Sequence, residues 1–339
     1  MAARDGRRRA PVISDVAELA QVSVPTVSRF LNRSAPVSPE KSARIARAIE
    51  LLGYRPNPIA RALVKESLRS IAVFTADTTL YGSVMTISGI EHAASRDGYL
   101  VSITALETAD VAGVPATIDL ALDQNPAGVI VLKFDDLGEA TARSIPTTVP
   151  TVLIAGRPAE HRHRISLGEE DGGYVVTRHL LDLGHRTVHH VSVPQSASGA
   201  SSRAAGWRRA LREAGAPIPD AWPATWEPDS GREIGRELAG HPEVTAVFAG
   251  NDEIAMGVVR GLTDAGKRVP EDVSVVGFDG HPLASLTRPA ITTYVQDFRR
   301  VGNLAWTTLH RQIRGESPET PEEILGSFRA GESTAPPPA

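Results

Sequence analysis

The 339-residue sequence contains no cysteine, which excludes disulfide scaffolding, thiolate metal sites and cysteine nucleophiles and suits a reducing, cytoplasmic setting. It also lacks any run of about eighteen apolar residues, the length that would suggest a membrane span. The basic start at Arg7-Arg8-Arg9 leads into Pro11 and a mixed stretch, not the apolar core of an export signal. Neither a membrane partner nor an exported leader is expected. Walker, GxGxxG and HExxH patterns are missing, so phosphate-transfer and metal-dependent enzymology have no foothold. The pairs His161/His163 and His189/His190 fall in an Arg-rich stretch and at a strand, and read as surface or packed histidines, not metal ligands. With no catalytic constellation, the chain is not expected to be an enzyme or to need a cofactor. What is present is ordinary core-forming material: 41% hydrophobic residues over a length that allows two or three domains.

The formal net charge of −4 conceals an uneven distribution. Residues 1–69 carry 13 Lys/Arg against 6 Asp/Glu, a net +7, whereas the remainder carries 23 against 34, a net −11. The basic part suits a polyanion. Within it, Ser14 to Asn32 places Val16, Ala17, Leu19 and Ala20 on one helical face, then Val22, then Val27, Phe30 and Leu31. This predicts two short amphipathic helices with a tight break. Ser14 and Ser23 are the expected N-caps, and Pro25 falls in the second helix's first turn, where its missing N–H is not needed. The second helix presents Val24, Pro25, Thr26, Ser28 and Arg29 outward, as in a helix-turn-helix whose second helix enters the major groove. Val24 and Thr26 offer methyl groups to thymine, and Arg29 suits either a bidentate guanine contact or a phosphate clamp. Ser23, Asn32 and Ser38 are placed to bond phosphates, which fixes register without reading sequence. A third helix is predicted over about Pro39–Leu52, with Ala43, Ile45, Ala46, Ile49 and Leu52 inward and Gly53 ending it.

The stretch Arg55 to Val64 reads as a helix of about eight residues capped by Asn57, below the roughly 12–15 needed for marginal stability in water, so it forms only where something else holds it. The run Ile13-Ser14-Asp15-Val16-Ala17 through Thr26-Val27-Ser28-Arg29-Phe30-Leu31-Asn32, continued by Gly53-Tyr54-Arg55-Pro56-Asn57, resembles the headpiece of the LacI family of transcription regulators. The resemblance implies a hinge helix that pairs with its dimer mate in the minor groove. Asn57 and Ala60 would then lie at the DNA and Leu63 would act as an apolar wedge between base pairs; a plain linker role for Leu63 is the alternative.

From Ser70 onward, short apolar runs alternate with helical patterns. Ile71–Thr75, Leu100–Thr104, Val129–Leu132, Thr151–Ala155, Val188–Val193, Ala246–Ala249 and Val273–Gly277 read as buried parallel strands. Helices are clearest over Asp171–Leu183 and Asp252–Ala265. This is an α/β pattern of doubly wound type. Ligands of such sheets bind beyond the carboxyl ends of the strands, where Asn251 and Asp279 fall.

Motifs through this region, among them Leu183-Gly184-His185-Arg186, Arg203-Ala204-Ala205-Gly206-Trp207, Ala249-Gly250-Asn251-Asp252 and Val275-Val276-Gly277-Phe278-Asp279, resemble the effector core that the LacI family shares with periplasmic sugar-binding proteins. The resemblance implies two α/β lobes around a cleft, with Arg203, Asn251 and Asp279 bonding ligand oxygens. It also brings Leu80-Tyr81-Gly82-Ser83 to the pocket edge as a loop and Gln296 to a ligand hydroxyl. Trp226 would stack on a galactoside or related glycoside, packing being its other reading. Two departures from the family pattern stand out. Ala155-Gly156-Arg157 occupies a place where many members carry an aspartate, and the C-terminus lacks the apolar heptads that join two dimers. The expected division is a headpiece over 1–56, hinge and linker over 57–69, a two-lobed effector and dimerisation domain over 70–335, and a disordered tail over 336–339. The expected function is a homodimeric repressor of carbohydrate-use genes that binds operator double-stranded DNA and is released by a sugar. Alternatives are a sugar-binding protein without DNA function, or a regulator answering to a non-sugar effector or protein co-regulator.

Overall fold

The computed structural model describes residues 11–32, 35–54, 69–106, 113–133, 136–155, 164–194, 202–316 and 323–338. They form two compact units that divide between Leu68 and Arg69.

The first unit contains helices α1 (Ile13–Leu19), α2 (Val24–Asn32) and α3 (Pro39–Leu52). Helix α1 starts earlier than a Ser14 cap predicts. The Asp15 carboxylate accepts the Val12 N–H at 2.8 Å, so an acidic side chain holds the N-terminus from within and Ser14 lies inside the first turn. Helix α3 matches its expectation, with Pro39 in the first turn and Gly53 left-handed at φ 60 after the last. Val16, Ala17, Ala20, Val27, Ile45, Ala48 and Tyr54 make the core. Leu19 is 49% exposed, and Ala43 and Ala46 are exposed where burial was expected. The inward stripe of α3 is instead Ile45, Ala48, Ile49 and Leu52, the i, i+3, i+4, i+7 set that leaves positions 43 and 46 on its flanks.

The second unit holds two six-stranded sheets. The first has the order β2 (Leu100–Ala105), β1 (Ser70–Thr75), β3 (Val129–Lys133), β4 (Thr151–Ala155), β5 (Arg164–Leu167), β11 (Glu323–Ile324), all parallel. The second runs β7 (Trp222–Pro223), β6 (His189–Ser192), β8 (Ala246–Ala249), β9 (Ser274–Asp279), β10 (Thr292–Val295), β12 (Ser327–Arg329), with only β12 antiparallel. Strand β2 corrects the expectation of burial: it is an edge strand, with Leu100 70% and Ile103 49% exposed.

The described helices α4 (Tyr81–Arg96), α5 (Val114–Leu122), α6 (Asp136–Ser144) and α11 (Phe298–Ile313) belong to the first lobe, and α7 (Glu169–Asp182), α8 (Ser202–Glu213), α9 (Pro228–Leu238) and α10 (Asp252–Asp264) to the second. The chain therefore passes between lobes three times, after β5, after β10 and after β11. In the first lobe, Phe298, Val301, Trp306 and Leu309 of α11 bury themselves with Ile71, Ile130, Leu132 and Ile154. The α4–α11 approach is close because glycines meet backbone: a Cβ on Gly89 would overlap the Arg299 carbonyl, and one on Gly302 the Thr86 carbonyl. In the second lobe, Trp207 is 1% exposed and its indole N–H donates to the Val188 carbonyl at 2.8 Å. The described residues 336–338 fall in the segment expected as a tail and follow directly on an anchored stretch. The Ala335 carbonyl accepts from Ser274 Oγ at 2.9 Å, and Pro337 lies beside Gly184. A proline segment anchored just upstream has little backbone freedom to lose.

His189 and His190 are both buried in β6. His190 stacks on Phe248 at 4.6 Å between ring centroids, and its Nδ1 is 2.9 Å from the Phe248 carbonyl. Burial pushes its imidazole down to about 4. A pKa depressed on folding gives stability that is complete above the unfolded value near 6.5 and is lost as pH falls toward the folded value. Wild type should therefore lose about 2 kcal/mol more than His190→Asn between pH 7 and pH 5. Denaturant unfolding of both proteins at the two pH values checks this, and equal losses would contradict it.

Candidate nucleic-acid interface and effector cleft

In the first unit, the chain enters α2 through Ser23, whose carbonyl accepts the Thr26 and Val27 N–H groups at 2.9 and 3.2 Å. Ser23 Oγ pairs with the Thr26 hydroxyl at 2.8 Å, so Ser23 starts the helix through its backbone and its side chain does not take a helix N–H. Buried Val27 anchors α2, leaving Val24, Pro25 and Arg29 exposed and Thr26 and Ser28 half-buried. The helix therefore offers its N-terminal face, the positive end of its dipole, to whatever lies outside. Ser38 precedes α3, is exposed and makes no side-chain cap bond. Asn32 ends α2, its side chain outside the described residues. Asn57, Ala60 and Leu63 lie outside the described residues altogether, as do Gly156 and Arg157.

In the second unit, the carboxyl ends of both sheets converge. Arg203, at the start of α8, is 7% exposed and reaches three acceptors. Its Nη2 is 2.9 Å from both Glu169 Oε1 and Asp279 Oδ1, its Nη1 donates to the Gly250 carbonyl, and its guanidinium lies over the Phe278 ring at 4.3 Å. Burial works against this charge, but Asp279 and Glu169 outweigh it and hold the guanidinium above its ordinary pKa. Asp279 ends β9 with φ 93, a left-handed backbone that aims its carboxylate back at Arg203. Burial pushes that carboxyl up, Arg203 pulls it down, and Glu169 adds to the upward push. Gln296, which follows β10, donates Nε2 to Asp279 Oδ1 at 3.4 Å, while its buried Oε1 has no hydrogen-bond partner among the described residues.

Asn251 caps α10: its Oδ1 accepts the Ile254 N–H at 2.8 Å and its Nδ2 donates to Glu253 at 3.3 Å. Much of its polar capacity is thus spent on the fold. From the other lobe, the Tyr81 ring meets the His281 ring at 4.6 Å and the Phe298 ring at 5.9 Å. Burial, then Asp279 and Asp252, push the Tyr81 hydroxyl up. The segment Leu80 to Ser83, expected as a loop, is the cap and first turn of α4. Ser83 is buried and Gly82 is pressed against Phe298, so Tyr81 is the member of that segment that meets the other lobe. Trp226 is half-buried and packs on the second lobe's core, as Trp222 and Ile234 also do.

Sequence reading did not single out Glu169, Asp252, Glu253 and His281. Asp252 accepts the His281 N–H at 2.6 Å, and burial with the charge of Asp279 pushes its carboxyl up to about 7. Burial pushes Glu253 up as well, helped by Asp279, Asp77 and Glu227. Asp252 closes the motif Ala249-Gly250-Asn251-Asp252, Glu253 follows it and His281 follows Asp279-Gly280, and that adjacency was their only signal; Glu169 adjoins no motif noted above. Among the described residues, no group of three His, Cys, Asp or Glu could hold a metal ion, and no helix is long and apolar enough to cross a membrane.

Comparison with known proteins agrees with both units. Residues 12–57 match the model of bacterial regulatory proteins of the lacI family, and residues 177–334 match that of a periplasmic binding protein-like domain. The HTH-type transcriptional repressor PurR of Vibrio parahaemolyticus is 32% identical over 314 residues, 91% of this chain and 93% of that protein. The lactose operon repressor of Escherichia coli is 30% identical, covering 89% of this chain and 85% of its own. A crystal structure of the Lac repressor dimer bound to operator and the anti-inducer ONPF superimposes with a TM-score of 0.87 at 27% identity, over 96% of this chain and all of that one. A helix-turn-helix unit joined to a two-lobed α/β unit, with relatives matched across both, identifies the chain as a DNA-binding transcriptional regulator of the lacI family.

Proposed function

We propose that the chain acts as a homodimeric repressor of carbohydrate-use genes, and that a neutral sugar, a galactoside or related glycoside, releases it from its operator. In this reading, residues 1–56 are the headpiece, with Val24, Pro25, Thr26, Ser28 and Arg29 of α2 toward the major groove and Ser23, Asn32 and Ser38 toward phosphates. Residues 57–69 form the hinge, with Asn57, Ala60 and Leu63 at the minor groove. Residues 70–335 sense the effector through Tyr81, Arg203, Trp226, Asn251, Asp279 and Gln296.

The observation that carries the ligand class is the polar set around Arg203. Its charge is already matched by two carboxylates, and the carboxylates of Asp77, Glu227 and Asp279 stand within electrostatic reach of Glu253. An anionic ligand would meet repulsion there. The buried Gln296 Oε1 lacks a donor among the described residues, and leaving such an acceptor unpaired costs about 1–3 kcal/mol. A sugar hydroxyl supplies that donor with no net charge, and Trp226 offers an apolar face to the C–H side of a pyranose. A hinge helix too short to persist alone then gives the coupling: a few kcal/mol of change in the lobes is enough to melt it and weaken operator binding.

The test is a thermal-shift screen of the full-length chain with mono- and disaccharides. A hundredfold excess over Kd stabilises by about 2.7 kcal/mol, a rise of roughly 5 °C in Tm. The sugar that shifts Tm should quench tryptophan fluorescence in wild type, not in Trp226→Ala, and should release bound duplex. A screen with no shift removes the sugar reading, and an unchanged quench in Trp226→Ala removes the stacking role.

A further inference from the structure

Helix α1 ends on a left-handed residue that is not glycine. Gln21 has φ 51. Its N–H donates to the Glu18 carbonyl at 3.0 Å, and the Val22 N–H donates to the Ala17 carbonyl at 3.0 Å. This pair of bonds is the Schellman arrangement, whose left-handed position glycine usually fills because a Cβ there crowds the backbone. The carbonyls of Ala20 and Gln21 are both taken by one side chain of α3. Arg44 Nε donates to Ala20 O at 2.9 Å and Nη2 donates to Gln21 O at 2.6 Å. The guanidinium thus sits at the negative end of the α1 dipole, where a cation is favoured. Its ionic neighbour Glu40 is 3.9 Å away with an 84% exposed side chain, too loose a pairing to fix it elsewhere.

Only residues 20–23 separate α1 from α2, so backbone rotation at Gln21 changes the direction in which α2 leaves. We infer that Arg44 is a positioning residue for DNA reading: by gripping the Ala20 and Gln21 carbonyls it holds a non-glycine turn left-handed and so sets the angle at which α2 meets the major groove. Direct phosphate binding by Arg44 is the competing role, and the two have different signatures. A lost phosphate contact reduces the slope of log K against log salt by about 0.9, whereas a lost clamp leaves the slope alone. A glycine at position 21 takes positive φ without strain and removes the need for the clamp.

The experiment uses the full-length chain and a duplex selected by the wild-type protein from a random pool, with binding followed by fluorescence anisotropy over a range of salt. Arg44→Ala should bind about tenfold more weakly, the factor that releasing 1–2 kcal/mol of turn strain implies, with an unchanged salt slope. The double variant Arg44→Ala/Gln21→Gly should regain most of that affinity, Gln21→Gly alone should match wild type, and Arg44→Lys, which keeps the charge but not the two-pronged grip, should fall between. A salt slope flattened by about 0.9 in Arg44→Ala makes Arg44 a phosphate ligand and overturns the inference, as does wild-type affinity in that variant. Should Arg44→Ala leave the headpiece unfolded by amide NMR, the double variant decides. A folded, binding headpiece supports the clamp, and one that stays unfolded or folds without binding refutes it.

Discussion

Removal of residues 1–68 should lower affinity for duplex DNA by about a thousandfold or more while leaving the rest of the chain folded. The unit from Arg69 onward is compact in its own right, so the loss is not one of global structure. Nor does it carry a surplus of cations: residues 70–339 have 23 Lys/Arg against 34 Asp/Glu, and a surface of that balance repels a polyphosphate. The deleted segment supplies nearly all of the net +7 of residues 1–69 and the exposed face of α2. Anisotropy titrations of both forms at several salt concentrations measure this. The intact chain should show log K falling with log salt by about 0.9 for each phosphate neutralised, and the truncated form almost no dependence. Equal affinity in the two forms would refute the assignment of DNA binding to the helix-turn-helix.

Replacing Arg203 by methionine should destabilise the second unit by about 3–5 kcal/mol near neutral pH and abolish the effector response. The side chain carries no exposed salt bridge of small value. It is 7% exposed and is shared by Glu169, Asp279 and the Gly250 carbonyl. Taking it away leaves two carboxylates in a desolvated setting without a counter-charge, and that unpaired state is the expensive one. The triple variant Arg203→Met/Glu169→Gln/Asp279→Asn should recover most of the stability, because a neutral replacement of a buried ionic group can cost little. It should not recover ligand binding, since Gln296 is oriented through Asp279. Urea unfolding with an effector titration on each variant separates the two effects. Full stability in Arg203→Met would show that the carboxylates find another partner.

The headpiece was legible because its signals are local. Helix periodicity, a proline at position 39 and a glycine at position 53 bound α3 as read from the sequence. The failures there, at Leu19, Ala43 and Ala46, are flank positions that a short helix buries or exposes according to its neighbours. In the second unit, central strands announce themselves as apolar runs, but the run from Leu100 looks the same as that from Val129 although one lies at the edge and the other inside. Strands β7, β11 and β12, of two or three residues each, are too short for any period to show. The cleft was read by resemblance, and its chemistry needed coordinates. Arg203 and Asp279 stand 76 residues apart, and no pattern in the sequence says that Glu169 completes the set; Asn251, directly before the predicted helix at Asp252, did carry a cap signal that the ligand reading passed over.

The three passages of the chain between the lobes bear on how the protein comes into being. Both sheets are finished by residues between Glu323 and Arg329, so a ribosome must release nearly the whole polypeptide before either layer can close. The helix-turn-helix, complete by Tyr54, can assemble far earlier in translation, and a growing chain would be able to grip nucleic acid well before it could respond to a small molecule.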